Sequence, residues 1–317
     1  MNILPDTRID WLKYRFHFIA LSCATLAACG FLVYRQGGIR YGIDFSEGTI
    51  VYAKFHEAPR IEDVRSAIAG IGIADAIIQR YDREELNQIL IRVGPQHGGT
   101  EELDETANRI IGVLRGLPQH RLIDTSTEIV GPVVGEELRK KAQTAVVVAM
   151  AAMLAYIAFR FEPIYGVGAT VALIHDVLVT LGFLAVVGYE ISLNVIAAFL
   201  TLVGYSVNDT IVIFDRVREN RRVMRMTSLH DIINLSINQT LRRTILTSLL
   251  TFLAVLPLFL LGGAALRPFA FVMLVGIVTG TYSTLGIASP IVLWWKQARR
   301  QRAQSASGRP KPVLPRL

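Results

Sequence analysis

Six apolar runs, each near the roughly 20 residues a helix needs to cross a hydrocarbon core, constrain this chain more than any other feature. They occupy about 16–34, 142–159, 164–187, 193–214, 244–261 and 269–295. Lipid offers no partner to backbone N–H and C=O groups, so runs of this kind fold as helices that satisfy themselves. Pro257 and Pro290 inside them are tolerated where neighbouring helices answer the freed backbone groups. With 52% hydrophobic and only 19% charged residues, the composition agrees. The expected class is a polytopic α-helical membrane protein with six transmembrane helices.

A net charge of +7 invites a nucleic-acid reading, but the position of the charge argues against it. Basic residues cluster beside the apolar runs, without aromatic-interleaved stripes or zinc spacing. Arg8, Lys13 and Arg15 precede the first run. Arg216, Arg218, Arg221, Arg222, Arg225, Arg242 and Arg243 follow the fourth, and Lys296, Arg299, Arg300 and Arg302 follow the sixth. On the other side, Gly188-Tyr189-Glu190 carries none and 262–268 carries only Arg267. By the positive-inside rule both termini are cytoplasmic, with Trp294 and Trp295 in the interfacial belt. Cys23 and Cys29 read as packing residues. Leu26-Ala27-Ala28-Cys29-Gly30 also looks like a lipoprotein cleavage box, against which stands the continuing apolar run.

The chain therefore divides into a cytoplasmic N-terminus (1–15), helix one (16–36), a soluble domain (37–141), five further helices (142–295) and a disordered cytoplasmic tail (296–317). Within the soluble domain the pattern reads strand 49–55, helix 61–71, strand 75–81, strand 87–93, helix 100–115, strand 123–130. Pro59, Gly98-Gly99, Gly116 and Pro118 punctuate the helices. This βαββαβ order fits a ferredoxin-like α+β domain, on the far side of the membrane by the same charge rule and with one solvated sheet face; the resemblance described below makes that side periplasmic. In the loop 215–241, Leu229, Ile232, Ile233, Ser236 and Ile237 recur at helical spacing opposite Asp231, Asn234 and Asn238. That predicts an amphipathic helix along the membrane surface.

Inside the fourth run stands Asn208-Asp209. A charge at the bilayer centre costs at least about 2.5–3.5 kcal/mol, so an intramembrane carboxyl is a functional candidate by default. Asn194, Ala198, Thr201, Tyr205, Asn208 and Val212 share one arc, which a lipid environment should turn inward. The run's midpoint lies near Gly204, placing Asp209 about 7 Å toward the cytoplasm. Arg242 and Arg243 open the fifth run at that depth, within reach of Asp209 or Asp215 if the two helices are neighbours. Such a pair is either poised to exchange a proton or is a static ion pair that fixes packing. His175-Asp176 adds a second intramembrane carboxyl, either a relay or a local cap. Gly276 and Gly280 suggest close helix contact, and Ser283, Thr284 and Ser289 extend a polar face.

No phosphate-binding loop, metal cluster or cofactor motif is present in the sequence, so any energy must come from an ion gradient or a partner. Two membrane carboxyls also bring aspartic intramembrane proteases to mind, yet Ser206-Val207-Asn208-Asp209 lacks their Gly-x-Gly-Asp context.

Several phrases resemble the SecF branch of the SecD/SecF family of protein-export membrane proteins. They are Gly42-Ile43-Asp44-Phe45, Phe159-Arg160-Phe161-Glu162, His175-Asp176-Val177, the long stretch from Gly204 to Asn220, Arg243-Thr244, Gly280-Thr281-Tyr282 and Ala288-Ser289-Pro290. The resemblance implies a partner, SecD, and a membrane assembly with the SecYEG channel and YajC-type accessory proteins. It implies, further, that the pair uses the proton-motive force, or sodium in some relatives, to promote late translocation and release of unfolded exported polypeptide, a transport role and not an enzyme. Carried over, it makes Asp209 the ion-responsive carboxyl and Arg243 its switching partner. Placement in the chain adds Asp176 as a further coupling candidate, with Asn208, Tyr205, Asp215 and His175 as supporting polar residues, and Gly42, Asp44 and Phe45 form a structural motif joining helix one to the domain. Glu47 stands where the family has glycine, which alters the turn expected there. The alternatives are half of an ion-driven small-molecule or lipid exporter, or a scaffold whose partner holds the ion site. A soluble insertion of about 100 residues, small for the exporters, favours the export accessory.

Overall fold

A computed structural model describes residues 9–306 except 46–47, 58, 74–75, 82–86, 95–99, 118–119 and 161. Glu47, Gly98, Gly99, Pro118 and the tail 307–317 therefore lie outside the described residues. A 3₁₀ turn, Trp11–Tyr14, leads into α1 (Arg15–Arg35). The domain follows as β1 (Gly48–Phe55), α2 (Ile61–Ala69), β2 (Ile77–Tyr81), β3 (Gln88–Val93), α3 (Thr100–Arg115) and β4 (Leu122–Val130). Then come α4 (Pro132–Arg160), α5 (Pro163–Val187), α6 (Leu193–Val223), α7 (Leu229–Leu261) and α8 (Gly263–Ser283). A π-helical segment, Thr284–Ala288, joins α8 to α9 (Ser289–Ala306). Among the described residues, six helical spans are long and apolar enough to cross a membrane, the last one, Leu266–Arg299, made from α8, the π segment and α9.

Three boundaries differ from expectation, each because polar helix escapes a hydropathy reading. First, α4 starts ten residues before its apolar run, one residue after β4. Its added turns carry the i,i+4 pairs Glu136–Lys140 (2.8 Å) and Glu137–Lys141 (2.7 Å), which support an exposed helix.

Second, the surface helix expected in 215–241 is instead an extension of two spans, with only 224–228 between α6 and α7. Ile232, Ile233 and Ile237 bury against Val217 of α6 and not against lipid. Asn220 Nδ2 crosses to Ser236 Oγ (2.9 Å) and Gln239 Oε1 (2.8 Å), and Ser228 Oγ caps α7 by accepting from the Asp231 N–H (3.1 Å). Asn234 and Asn238, expected to face water, instead hold the N-terminal segment through the Leu12 N–H and the Trp11 indole, both 3.2 Å.

Third, α9 continues to Ala306, so the segment assigned to a disordered tail is helical through 296–306.

The membrane helices approach closely where glycine permits. A Cβ on Gly276 would lie 2.3 Å from Leu202 Cδ1, and one on Gly280 would lie 3.2 Å from Ser206 Cβ, so the Gly-x-x-x-Gly face of α8 seats α6. Cys29 is buried, and a Cβ on Gly182 would meet its Cβ at 2.6 Å, which packs α1 on α5. At the π segment, Pro290 has no N–H for the Gly286 carbonyl, which loosens the helix there. Ser289 Oγ returns a bond to the Thr284 carbonyl (2.9 Å).

The six elements occur in the expected βαββαβ order, and the four strands form an antiparallel sheet in the order β2-β3-β1-β4. Alternate residues of β1 (Val51, Ala53, Phe55) and β3 (Ile89, Ile91, Val93) point into one core with Val64 and Ile68 of α2 and Ala107, Ile110 and Leu114 of α3. The second face carries a smaller cluster, Ile50 and Leu90 with Tyr52 and Tyr81 beside them. It does not simply face solvent. A cavity of about 560 Å³ lies between it and the α5–α6 turn and first turns of α8 in the bundle.

Two ties fix the domain to the bundle. Arg92 of β3 forms a bidentate pair with Glu190 in the α5–α6 turn, with Nη1 to Oε1 at 2.7 Å and Nη2 to Oε2 closer still. The Gly42-Ile43-Asp44-Phe45 motif makes the other. The Gly42 N–H donates to the Ile191 carbonyl (2.7 Å), where a Cβ on Gly42 would come within 3.1 Å of the same oxygen. Asp44 Oδ2 accepts from the Leu193 N–H (2.8 Å) at the start of α6, and Phe45 is buried with Ala142, Leu184 and Val195. The motif thus anchors the domain to the far turn of the bundle and not merely to helix one.

Candidate functional site

Helices α5, α6, α7 and α8 meet along a seam of hydroxyl side chains that holds two buried carboxyls. Both belong to apolar helices, and tight packing of α6 on α8 shuts them from solvent: Asp176 is 0% and Asp209 3% exposed.

The two environments differ. Asp176 Oδ2 accepts from Ser206 Oγ (2.6 Å) and Ser283 Oγ (2.8 Å), while Oδ1 lies 3.1 Å from His175 Nδ1. Each of these is a short contact from an adjacent helix or residue, so the carboxyl is held on both oxygens. Asp209 has Ser248 Oγ of α7 at 3.4 Å from Oδ2, long for an O–H···O bond. Ser248 in turn lies 2.8 Å from Thr281 Oγ1 and accepts from Tyr205 OH at 3.3 Å. Thr210 and Thr284 meet at 3.0 Å between the two clusters. The sequence reading missed Ser206, Ser248 and Thr281. Their signal was present as hydroxyl residues inside apolar runs, which bond across helices when they face inward.

Arg243 sits at the start of the fifth run as expected but is exposed, and it acts on Asp209 only through space. No hydrogen bond joins them among the described residues. Asp215 does not join the site: it is exposed and lies 3.9 Å from Arg160 Nη2. His175 is buried, and its Nε2 has no partner among the described residues.

The polar members of the expected α6 arc are turned the other way from the expectation. Asn194, Thr201 and Asn208 are exposed, Tyr205 and Val212 are half-buried, and of that arc only Ala198 is buried as expected, on an inward face it shares with Leu202, Ser206, Asp209, Thr210 and Ile213. Burying small and hydroxyl residues against α8 allows the closest helix approach, which leaves the amide stripe outside this chain's own bundle. Among the described residues, no group of three or more His, Cys, Asp or Glu side chains is placed to hold a metal ion.

Residues 113–298 match the family described as protein export membrane protein SecD/SecF, C-terminal. The chain is 42% identical over 302 residues to the protein translocase subunit SecF of Calditerrivibrio nitroreducens, covering 94% of this chain and 98% of that one. It is 39% identical over 294 residues to the SecF of Desulfurispirillum indicum, covering 91% and 92%. The fold is similar to the crystal structure of SecDF, a translocon-associated membrane protein from Thermus thermophilus. There the TM-score is 0.81 at 35% identity, covering 92% of this chain and 39% of that one. A second SecDF structure, in a super-membrane-facing form, superposes less closely at TM-score 0.68, covering 96% and 41%. The chain thus spans about two fifths of the SecDF polypeptide while matching SecF subunits nearly end to end. By residues, fold and length together, it belongs to the SecF family of protein translocase subunits.

Proposed function

We propose that this multi-pass membrane protein works beside a SecD partner in the bacterial inner membrane. It uses the proton-motive force to promote late translocation and release of exported polypeptide. The arginine-rich end and both termini lie in the cytoplasm under this reading, and the domain is periplasmic and ferredoxin-like, a reading its β2-β3-β1-β4 order supports. The outward stripe of Asn194, Thr201 and Asn208 supports the partner. Amides facing lipid would be costly, and a second bundle would cover them.

The observation that carries the coupling role is the contrast between the carboxyls. Asp176 is satisfied on both oxygens and anchors the seam, whereas Asp209 is equally buried with one long bond. Ser248 has a single hydroxyl proton and two oxygen acceptors, Asp209 Oδ2 and Thr281 Oγ1. When Asp209 is ionised the proton points to it. When Asp209 is protonated it donates to Ser248, and Ser248 turns its own proton to Thr281. Charge on one helix is thereby converted into a changed contact between α7 and α8. Arg243, near but unbonded, is the cation that can close on ionised Asp209 and withdraw from the neutral acid.

The test is release of an exported protein from membrane vesicles, with and without a proton gradient, in wild type and Asp209→Asn. The variant is expected to lose the gradient-dependent part of release and keep the remainder. Unchanged gradient dependence would refute the reading. Arg243→Lys keeps the charge without the planar fork and is expected to retain only part of the response.

A further inference from the structure

At the arginine-rich end of the bundle, remote from Asp209, a cavity of about 740 Å³ opens between the start of α5, the end of α6, the start of α7 and α9. Its ionisable lining residues are Glu162, Arg221, Arg225, His230, Lys296 and Arg299. His230 is answered by Asp10 (3.6 Å) and Asp231 (3.3 Å). That leaves four permanent cations facing one carboxylate, Glu162, which takes Arg221 (3.3 Å) and Lys296 (3.4 Å). Arg225 and Arg299 form no ion pair among the described residues. The capped N-terminus of α7 opens on the same space and adds the positive end of a long helix.

We infer that this cavity binds the phosphate headgroup of an acidic phospholipid from the adjoining leaflet. A planar guanidinium matches phosphate oxygens two at a time, and Arg225 and Arg299 reach the cavity from two different elements, the α6–α7 link and α9. The surroundings favour a lipid over a free anion. Met224 and Leu293 give the cavity apolar walls suited to a glycerol and acyl stem. A neighbouring hollow of about 380 Å³, lined by Trp295, Ala298, Arg299 and Arg302, shares Arg299 with it and lies beside an exposed indole. Basic pockets between membrane helices at the interface are suited to such headgroups.

The site predicts selectivity by headgroup charge, read on the purified full chain by native mass spectrometry during titration with phosphatidylglycerol or phosphatidylcholine. Wild type should bind phosphatidylglycerol in preference. Arg225→Gln with Arg299→Gln should weaken that binding about thirtyfold, since each basic side chain beside an anionic headgroup is worth a factor of about five, and leave phosphatidylcholine unchanged. Arg225→Lys with Arg299→Lys should restore most of it. The same loss of two charges on the domain, Arg115→Gln with Arg121→Gln, should have no effect, and millimolar inorganic phosphate should fail to displace the lipid. The proposal is overturned by equal phosphatidylglycerol affinity in wild type and the Gln pair, by absence of headgroup preference, or by an equal loss in the domain control. Full displacement by inorganic phosphate would make the cavity a free-anion site and overturn the lipid assignment.

Discussion

Asp44 Oδ2 accepts a hydrogen bond at 2.8 Å from the backbone N–H of Leu193, 149 residues later in the chain. A carboxylate from the segment leading into the domain therefore sits at the positive end of the helix that carries Asp209 at its middle. The domain and Asp209 are thereby connected through one helix. Removing the cap, Asp44→Ala, should lower stability by about 1 kcal/mol, with Asp44→Asn between it and wild type. Thermal unfolding of the purified protein in detergent checks the order.

The Arg92–Glu190 pair is the second tie. Glu190→Gln should loosen the domain without unfolding it, raising hydrogen exchange in β3 and in the turn 188–192 while the bundle core stays protected. Arg92→Lys should fall between, because the ammonium cannot reproduce the two parallel bonds. An exchange pattern identical to wild type in both variants would argue against the tie.

Gly276→Ala should cost about 1–3 kcal/mol by overpacking, since its Cβ would meet Leu202 at 2.3 Å. Adding Leu202→Ala should recover part of that loss. The cycle of single and double variants, followed by unfolding in increasing denaturant, measures the coupling between α6 and α8.

Ser206→Ala and Ser283→Ala each take one short bond from a fully buried carboxyl, at about 1–3 kcal/mol apiece. The double variant should lose more than the sum of the two. Gradient dependence of release should persist in whichever single variant folds, which would separate the anchoring of Asp176 from the response of Asp209.

Glu162 gives a pH signature outside the membrane spans. Burial raises its carboxyl, but Lys296 and Arg221 together outweigh that and hold it below the ordinary glutamate value. A carboxyl lowered on folding contributes stability that is full above its unfolded value and lost as pH falls through the folded one. The stability difference between wild type and Glu162→Gln should therefore be constant above about pH 4.5 and shrink in more acid solution. A difference that grows on acidification would reverse the assignment.

The span count and the βαββαβ order were legible because each rests on a period, about twenty apolar residues or the alternation of a strand. The helix ends were less so. Hydropathy stops at Phe214, whereas α6 runs on for nine residues because Asn220 finds Ser236 and Gln239 across a tight link. Asp209 and Asp176 stood out as charges in lipid. Their difference did not, since it depends on which serines face which carboxyl from three other helices. The direction of the α6 arc was misread for a related reason: the rule that polar faces turn inward holds for a whole assembly, and under the proposed partnership one chain is only part of it.

The π segment has a consequence for mutational tolerance. From Ser283 to Pro290 every residue is buried, whereas burial along α7 comes and goes with each turn from Ile232 to Ser248 and then ceases. A helix that meets lipid on one side can absorb most substitutions there. This stretch has no such side, so scanning it should give an unbroken block of sensitivity where α7 gives a periodic one, and drift in the family should be slowest where Thr284 faces Thr210.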